Sequence, residues 1–319
     1  MKKLILIEGL PGSGKSTTAQ WLHHSFRKSG LVSRWFYELS EHHPLTLPSC
    51  EGKSSGSHLL LVSVDIWKRF IRSEMSEYDA VIIDSGFFQK NILHLMNVNI
   101  GAKIIQNYAS QVEALLSDCD THFIYLDEGD AQMHMRRVFQ ARGKRFQNVL
   151  TEWTNNTDYS TSKGYTGLEG CLNYWTDYKD LCDRIYEKSQ FRKIEIGVNT
   201  APWAEHYQTL SRALQVSHVD NSKSSPVLSG QVSGDYLMRN SDIRVNITEK
   251  SGYFTVKNLL HSLEVESVLI PDGSNRFFIR GHDVSLQFEE FRQGTAHVMK
   301  VASSWNQLNG RVFDRVTLS

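Results

Sequence analysis

Short apolar runs alternate with longer amphipathic segments over the first part of the chain. The runs are rich in branched residues, which is typical of strands buried in a parallel sheet, and they cover 4–7, 32–37, 79–84, 121–126 and 193–196. Apolar residues recur at helical spacing between them, in 16–29, 59–75, 101–116 and 203–214. This alternation predicts an α/β domain over residues 1–216, with helices covering both faces of a parallel sheet in three layers.

From Gly234 onward the pattern changes to short strands separated by turn residues. The predicted strands are 243–248, 252–257, 264–270, 276–280, 284–289, 296–303 and 310–317, with turns at 249–252, 271–273, 281–283 and 309–310. Residues 234–319 are therefore predicted to form a small antiparallel β-barrel or sandwich. A Ser-, Gly- and Asn-rich stretch, 217–233, is the predicted linker. The tail carries no recognisable catalytic set, which favours a docking or oligomerisation module over a second active site.

The strongest chemical signal follows the first predicted strand. Residues 9–16 read GLPGSGKS and match G-x-x-x-x-G-K-[ST] at every fixed position. The glycines let backbone N–H groups curl around a phosphate chain, and the helix that follows favours anions at its N-terminus. A chance match is disfavoured because the motif stands between a strand and an amphipathic segment. The residues predicted to bind nucleotide are Gly9, Pro11, Gly12, Ser13, Gly14, Lys15, Ser16 and Thr17.

Specific roles follow for the side chains at this motif. Lys15 is expected to neutralise the β and γ phosphates, and Ser16 to offer its hydroxyl to Mg²⁺. Asp84 ends the third predicted strand as a Walker B acid does, and we expect it to hold the same ion. The alternative for Asp84 is a plain strand-terminal acid. ATP and Mg²⁺ are therefore the predicted cofactors.

Two further features point to an acceptor. Glu38 follows the second predicted strand, and ligands of such sheets bind beyond the carboxyl ends of the strands. Its carboxylate could accept a proton from a substrate hydroxyl, or it could cap the next element. Basic residues then crowd 130–145, in a helical segment that is predicted to break at Gly143; they are Arg136, Arg137, Arg142, Lys144 and Arg145. Arginines in a lid suit a transferring phosphoryl group, and a solvated basic face is the alternative.

Composition narrows the classes of partner. The 319 residues exceed a usual single domain, and Lys+Arg 35 balances Asp+Glu 35, so net charge draws the chain to neither nucleic acid nor an anionic membrane. The four cysteines show no C-x-x-C pairing, so neither a disulfide framework nor a zinc site is indicated, which fits a reducing compartment. No apolar run approaches the ~20 residues that span a bilayer. We therefore expect a cytoplasmic protein without nucleic-acid or membrane partners.

Residues 1 to about 214 resemble the P-loop kinases of the nucleoside and nucleotide kinase type, represented by thymidylate kinase and the deoxynucleoside kinases. The likeness rests on GLPGSGKST at 9–17, on Glu38, and on Arg137 and Arg142. It implies that Glu38 faces the acceptor. It also implies that three lid arginines, Arg136, Arg137 and Arg142, bridge the donor and acceptor phosphates.

The chain departs from that family pattern after Asp84. Many of these kinases place an arginine there, whereas this sequence continues with Ser85 and Gly86. The segment 82–89, IIDSGFFQ, is closer to a loosely characterised bacterial set of P-loop proteins. The tail, 234–316, is weakly similar in pattern to lipocalin-like β modules appended to bacterial enzymes.

Together these features predict an ATP- and Mg²⁺-dependent phosphotransferase with a small-molecule acceptor: a nucleoside, a nucleotide, or a hydroxylated natural product such as an antibiotic. Its predicted catalytic residues are Lys15, Glu38, Arg136, Arg137 and Arg142. One alternative is a nucleotide-dependent switch or ATPase that engages a protein partner through the β domain. The β domain could also join copies of the chain into a homo-oligomer. The guanine-reading N-K-x-D is absent from the sequence, which disfavours a GTPase. Polynucleotide end phosphorylation is disfavoured by the zero net charge.

Overall fold

The computed structural model describes residues 2–47, 56–219, 231–250, 252–259, 266–272, 275–304 and 307–316. The chain divides into two compact units, one of Met1–Glu38 and His43–His218, the other of Leu39–His42 and Val219–Ser319. Most of the predicted linker 217–233 lies outside the described residues, as do parts of the predicted strands 264–270 and 310–317 and of the turns 249–252 and 271–273.

A parallel sheet of five described strands forms the centre of the first unit. In chain order the strands are β1 Lys3–Gly9, β2 Ser33–Phe36, β3 Ala80–Asp84, β4 Asp120–Asp127 and β5 Arg192–Gly197. Their order across the sheet is β2-β3-β1-β4-β5, and every pairing is parallel. Both faces are buried; the four apolar residues of β1, Leu4, Ile5, Leu6 and Ile7, have no exposed surface. The predicted parallel sheet is confirmed, with the strands where the apolar runs placed them.

Helices surround this sheet, as the amphipathic segments predicted. The described helices are α1 Lys15–Lys28, α2 Gly56–Ser73, α3 Leu93–Asn97, α4 Ala102–Leu115, α5 Ala131–Asn155, α6 Asp158–Lys163, α7 Gly167–Lys188 and α8 Trp203–Leu214, with a π-helix at Phe88–Ile92. The break predicted in α5 is confirmed, because Gly143 has φ 82° and ψ 173°. The π-helix, α3 and α6 were not predicted. Among the described helices, none is both long enough and apolar enough to cross a membrane.

The strand order decides which loops meet. β1 lies between β3 and β4, with Ile7 opposite both Asp84 and Ile124. Parallel strands end at the same edge of the sheet, so the segments that follow β1, β3 and β4 are neighbours there. The P-loop motif is the segment that follows β1.

The second unit is a closed antiparallel barrel, which decides between the barrel and the sandwich that the sequence left open. Its eight described strands are β6 Gly234–Met238, β7 Arg244–Lys250, β8 Tyr253–Lys257, β9 Ser267–Pro271, β10 Arg276–Ile279, β11 Val284–Arg292, β12 Thr295–Ser303 and β13 Val312–Arg315. Alternate side chains fill the inside; in β11, Leu286 and Phe288 have no exposed surface, whereas Gln287 and Glu289 between and beside them are half-buried.

The sequence missed β6, the strand that closes the barrel. It pairs with β13 on one side and with β7 on the other. Its sequence, GDYLM, opens with residues that are depleted in strands and has no clear alternation. Tyr236 nevertheless has no exposed surface, and its hydroxyl donates to the Val232 carbonyl at 2.9 Å. Long-range pairing, and not local preference, makes this segment a strand.

Adjacent phenylalanines in β10 give a matched test of the barrel core. Phe277 is 1% exposed inside the barrel, while Phe278 on the other face is half-buried beside the Arg276 guanidinium, 4.9 Å from its ring centre. We expect Phe277→Ala to destabilise the barrel by about 3–5 kcal/mol, and Phe278→Ala to cost clearly less, because only the first leaves a cavity. Hydrogen exchange of peptides from 276–303 in the full chain measures both. Equal exchange in the two variants would contradict the inside–outside assignment.

Candidate functional site

The P-loop motif forms a tight turn between β1 and α1, and its glycines are required by close packing. Gly12 has φ 82°, and a Cβ there would lie 2.7 Å from Cγ2 of Val138 in α5. Gly14 has φ 99°, and a Cβ there would lie 2.8 Å from the Trp203 ring in α8. Such contacts are too short for any other residue, and positive φ strains an L side chain. The loop is therefore held against two helices of its own unit.

Both backbone polar groups of one loop residue, Leu10, are held by side chains. Lys15 is 5% exposed, and its Nζ donates to the Leu10 carbonyl at 2.8 Å. The Leu10 N–H donates to Oε1 of Glu128 at 2.8 Å. The Leu10 carbonyl also accepts the N–H of Ser13 at 3.2 Å. The lysine expected to contact phosphates thus lies beside the loop, bonded to a neutral carbonyl.

The remaining predicted phosphate-binding residues lie around this turn. The Pro11 carbonyl is 2.8 Å from Nε2 of His134 in α5. Ser13 is buried, whereas Ser16 and Thr17 are half-buried in the first turn of α1. The backbone N–H groups of a helix start favour anions, so this end of α1 suits a phosphate group.

Asp84 ends β3 beside the P-loop and has no exposed surface. Its Oδ1 accepts the Ser85 hydroxyl at 3.0 Å, and Oδ2 has no hydrogen-bond partner among the described residues. Burial and the charge of Glu38 raise the pKa of Asp84, while the neighbouring Ser16 hydroxyl and the Lys15 ammonium lower it. A buried carboxylate with one free oxygen next to a serine hydroxyl is an oxygen donor set that suits Mg²⁺. In the described part of the chain, no group of three or more His, Cys, Asp or Glu residues could hold a metal ion.

Glu38 lies beyond the end of β2, and the π-helix after β3 holds it. Nε2 of Gln89 donates to Oε1 of Glu38 at 2.5 Å. Burial lowers the pKa of Lys90, and the charges of Glu38 and Asp84 raise it. Burial likewise lowers the pKa of Arg142, against the raising effect of Glu38. Glu38 therefore has two cations near it, of which Arg142 was predicted and Lys90 was not.

The structure separates the predicted arginines. Arg136 is exposed and pairs with Glu169 of α7 at 2.8 Å. Arg137 is also exposed, with its guanidinium 3.4 Å from Sδ of Met133 one turn earlier. Arg142 is exposed as well, and its guanidinium lies 4.8 Å from the centre of the Phe146 ring. It differs from the other two in lying within electrostatic range of Glu38, whose charge raises its pKa, whereas Arg136 is tied to another helix.

Two buried carboxyl groups of the site were missed by the sequence reasoning. Glu8 in β1 has no exposed surface, and its Oε1 accepts the Phe87 N–H at 2.7 Å. Burial raises the pKa of Glu8 to about 8, against the lowering effect of the Phe87 and Phe88 N–H groups and of Lys15. Glu128 after β4 is the second, and burial raises its pKa to about 7. The sequence pattern could have revealed Glu8, because it is an acid at the end of an otherwise apolar run. No comparable pattern marks Glu128.

No protein-family model and no curated protein sequence matches this chain. A search of solved structures found similarity to the YorR protein of Bacillus subtilis, which was solved in complex with phosphorylated GDP. The match has 11% sequence identity and a TM-score of 0.36, and it covers 66% of this chain and 95% of the YorR chain. Similarity at this level does not transfer a function, so function is inferred below from the residues of the site.

The buried carboxyl of Glu8 makes stability depend on pH. Its folded pKa of about 8 lies above the value of 4.5 that is ordinary for a glutamate, so the folded state keeps a proton that the unfolded state releases. The free energy of unfolding should therefore fall between about pH 5 and 8, by up to about 1.4 kcal/mol per pH unit. Glu8→Gln keeps an acceptor for Phe87 and should make this fall shallower, because Glu128 and Asp84, whose pKa values are also raised, account for the rest of it. Urea unfolding followed by tryptophan fluorescence, without Mg²⁺ or nucleotide, measures the effect.

The control for that experiment is Glu152→Gln, on the exposed surface of α5. This variant should follow the wild-type pH dependence, because it leaves the buried carboxyl groups unchanged. Parallel curves for wild type and Glu8→Gln would show that the Glu8 proton does not differ between the folded and unfolded protein.

Proposed function

We propose that this protein is an ATP- and Mg²⁺-dependent phosphotransferase that transfers the γ-phosphoryl group to a small-molecule acceptor. One observation carries the proposal: at the carboxyl edge of one sheet, Asp84 lies within electrostatic range of Lys15, of the Ser16 hydroxyl and of Glu38, and Glu38 in turn lies within range of Arg142. A phosphate-binding half and an acceptor-binding half are both needed for transfer, and these residues supply both.

The donor half is the P-loop. Its backbone N–H groups would surround the phosphates of ATP, and Lys15 would exchange the Leu10 carbonyl for a phosphate oxygen. Ser16 and Asp84 would hold Mg²⁺, which when bound neutralises charge on the phosphates. The free Oδ2 of Asp84 and the half-buried Ser16 hydroxyl support this assignment.

The acceptor half is centred on Glu38. Gln89 fixes one carboxylate oxygen, which leaves the other to accept a hydrogen bond, and then the proton, from an acceptor hydroxyl. Arg142 would donate to the oxygens of the transferring group, where charge accumulates. Catalysis would consist mainly of positioning and charge stabilisation, because this reaction asks little covalent chemistry of the protein. Nucleosides, nucleotides and hydroxylated natural products all offer such a hydroxyl.

ADP formation from ATP and Mg²⁺ tests the proposed activity, with the protein alone and with a panel of those three acceptor classes. Stimulation by one class would support transfer and identify the acceptor chemistry. Slow ADP release that no acceptor stimulates would favour the alternative function, a nucleotide-dependent switch or ATPase that engages a partner through the barrel.

Replacing the P-loop lysine tests the donor half. Lys15→Ala should abolish ADP formation and weaken ATP binding strongly, since the variant lacks the buried ammonium expected at the β and γ phosphates. Titration calorimetry with ATP and Mg²⁺ measures the binding. Lys103→Ala, on the exposed start of α4, is the control and should leave both unchanged. Normal activity of Lys15→Ala would rule out the proposed P-loop mechanism.

Comparing two arginines of α5 tests the acceptor half. Arg142→Ala should lower kcat about 10²-fold or more with a small effect on ATP affinity, if the guanidinium stabilises the transition state. Arg136→Ala should change kcat little, because Arg136 pairs with Glu169 at the exposed surface. Steady-state kinetics with the acceptor found in the panel measures both. Equal losses in the two variants would show that the structure does not distinguish their roles.

A further inference from the structure

Glu128 makes a direct contact to the P-loop that the proposed mechanism does not use. It is 3% exposed and follows β4, whose Leu126 lies opposite Gly9 of β1. Its Oε1 accepts the Leu10 N–H at 2.8 Å, while Lys15 donates to the carbonyl of the same residue at 2.8 Å. The backbone N–H and carbonyl of Leu10 are therefore hydrogen-bonded to two ionisable side chains, one acidic and one basic.

The surroundings of Glu128 leave Lys15 as its main compensating charge. Of the groups whose charge acts on Glu128, Lys179 is already paired with Asp127 at 2.9 Å and with Asp183 at 2.8 Å. The charge of Lys15 lowers the pKa of Glu128, after burial has raised it. The phenol of Tyr125 also lies within electrostatic range, and it is uncharged because burial and neighbouring acids raise its pKa. Oε2 of Glu128 has no hydrogen-bond partner in the described part of the chain.

We propose that Glu128 is a positioning residue that holds Lys15 beside the P-loop, through the Leu10 residue, and whose negative charge opposes phosphate binding. The inference rests on the proposed binding of nucleotide phosphates at this loop. When phosphates bind, Lys15 leaves the Leu10 carbonyl for them, and Glu128 loses its main compensating cation while anions approach. A buried like charge beside the phosphate site weakens binding, because the interior screens it less than water does.

Two substitutions separate the hydrogen bond of Glu128 from its charge. Glu128→Gln keeps an oxygen that can accept the Leu10 N–H and removes the charge. Glu128→Leu removes both, which leaves a buried N–H without an acceptor and the loop without its anchor. The proposal therefore requires opposite effects: tighter nucleotide binding for Gln and weaker binding for Leu. A purely structural role would weaken binding in both variants.

Titration calorimetry with ADP and Mg²⁺ at pH 8 measures these effects. We expect Glu128→Gln to bind roughly tenfold more tightly than wild type and Glu128→Leu to bind more weakly. The gain for Gln should shrink at pH 6, because Glu128, with a pKa of about 7, is then mostly neutral in the wild type. Glu152→Gln is the control and should match wild type at both pH values. Unchanged or weaker binding by Glu128→Gln at pH 8 would overturn the proposal.

The nucleotide-free protein gives a test that does not depend on the proposed function. In protein with ¹⁵N-labelled leucine, the Leu10 amide resonance should shift with pH around 7 in the wild type and stay constant in Glu128→Gln. A Leu10 resonance that is insensitive to pH in both would show that no charge on Glu128 titrates against the loop, and the proposal would be wrong. If wild type binds no nucleotide while the Leu10 resonance titrates, the proposed function fails and the contact between Glu128 and the loop stands.

Discussion

Burial of charge around Lys15 is the constraint on which the site depends. The Lys15 ammonium is almost fully buried, and its charge lowers the pKa of three buried carboxyl groups, those of Glu8, Asp84 and Glu128. An isolated buried charge is costly, so each of these groups depends on the others and on nearby N–H donors. β1 supplies Glu8, β3 supplies Asp84, and Glu128 follows β4. The set assembles because β1 lies between the other two strands.

The segment after β3 contacts both this charged centre and Glu38, where we propose that an acceptor binds. Ser85 adopts φ 61°, uncommon for a residue other than glycine, and its N–H donates to the Ile7 carbonyl at 3.1 Å. A Cβ on Gly86 would lie 2.2 Å from Cγ2 of Ile83, so only glycine fits there. The π-helix that follows presents Gln89 to Glu38. A segment of unusual backbone thus connects Asp84 at the end of β3 to Glu38 beyond β2. π-Helical turns are frequent at functional sites.

The barrel has an apolar core of its own, in contrast to the buried charged groups around Lys15. Its inner positions are filled by aromatic and branched side chains such as Phe277, Phe288 and Val301. Closure through β6 and β13 pairs the backbone of both strands that would otherwise be edges. The residues that carry the proposed chemistry all lie in the first unit, and the barrel contributes none of them.

The sequence by itself determined the parallel sheet, the main helices, the helix break at Gly143 and the P-loop, because periodicity and glycine spacing are local properties. It also predicted a barrel or sandwich, but it missed β6, whose composition is poor for a strand and which only cross-strand pairing stabilises. It placed Asp84 and Glu38 at strand ends. It could not tell which of Arg136, Arg137 and Arg142, all in one helix, lies within range of Glu38. Only the tertiary structure placed Arg142 within electrostatic range of Glu38, buried Glu8, and placed Glu128 against Leu10. Those contacts depend on strand order and on burial between segments far apart in the chain, which no local pattern records.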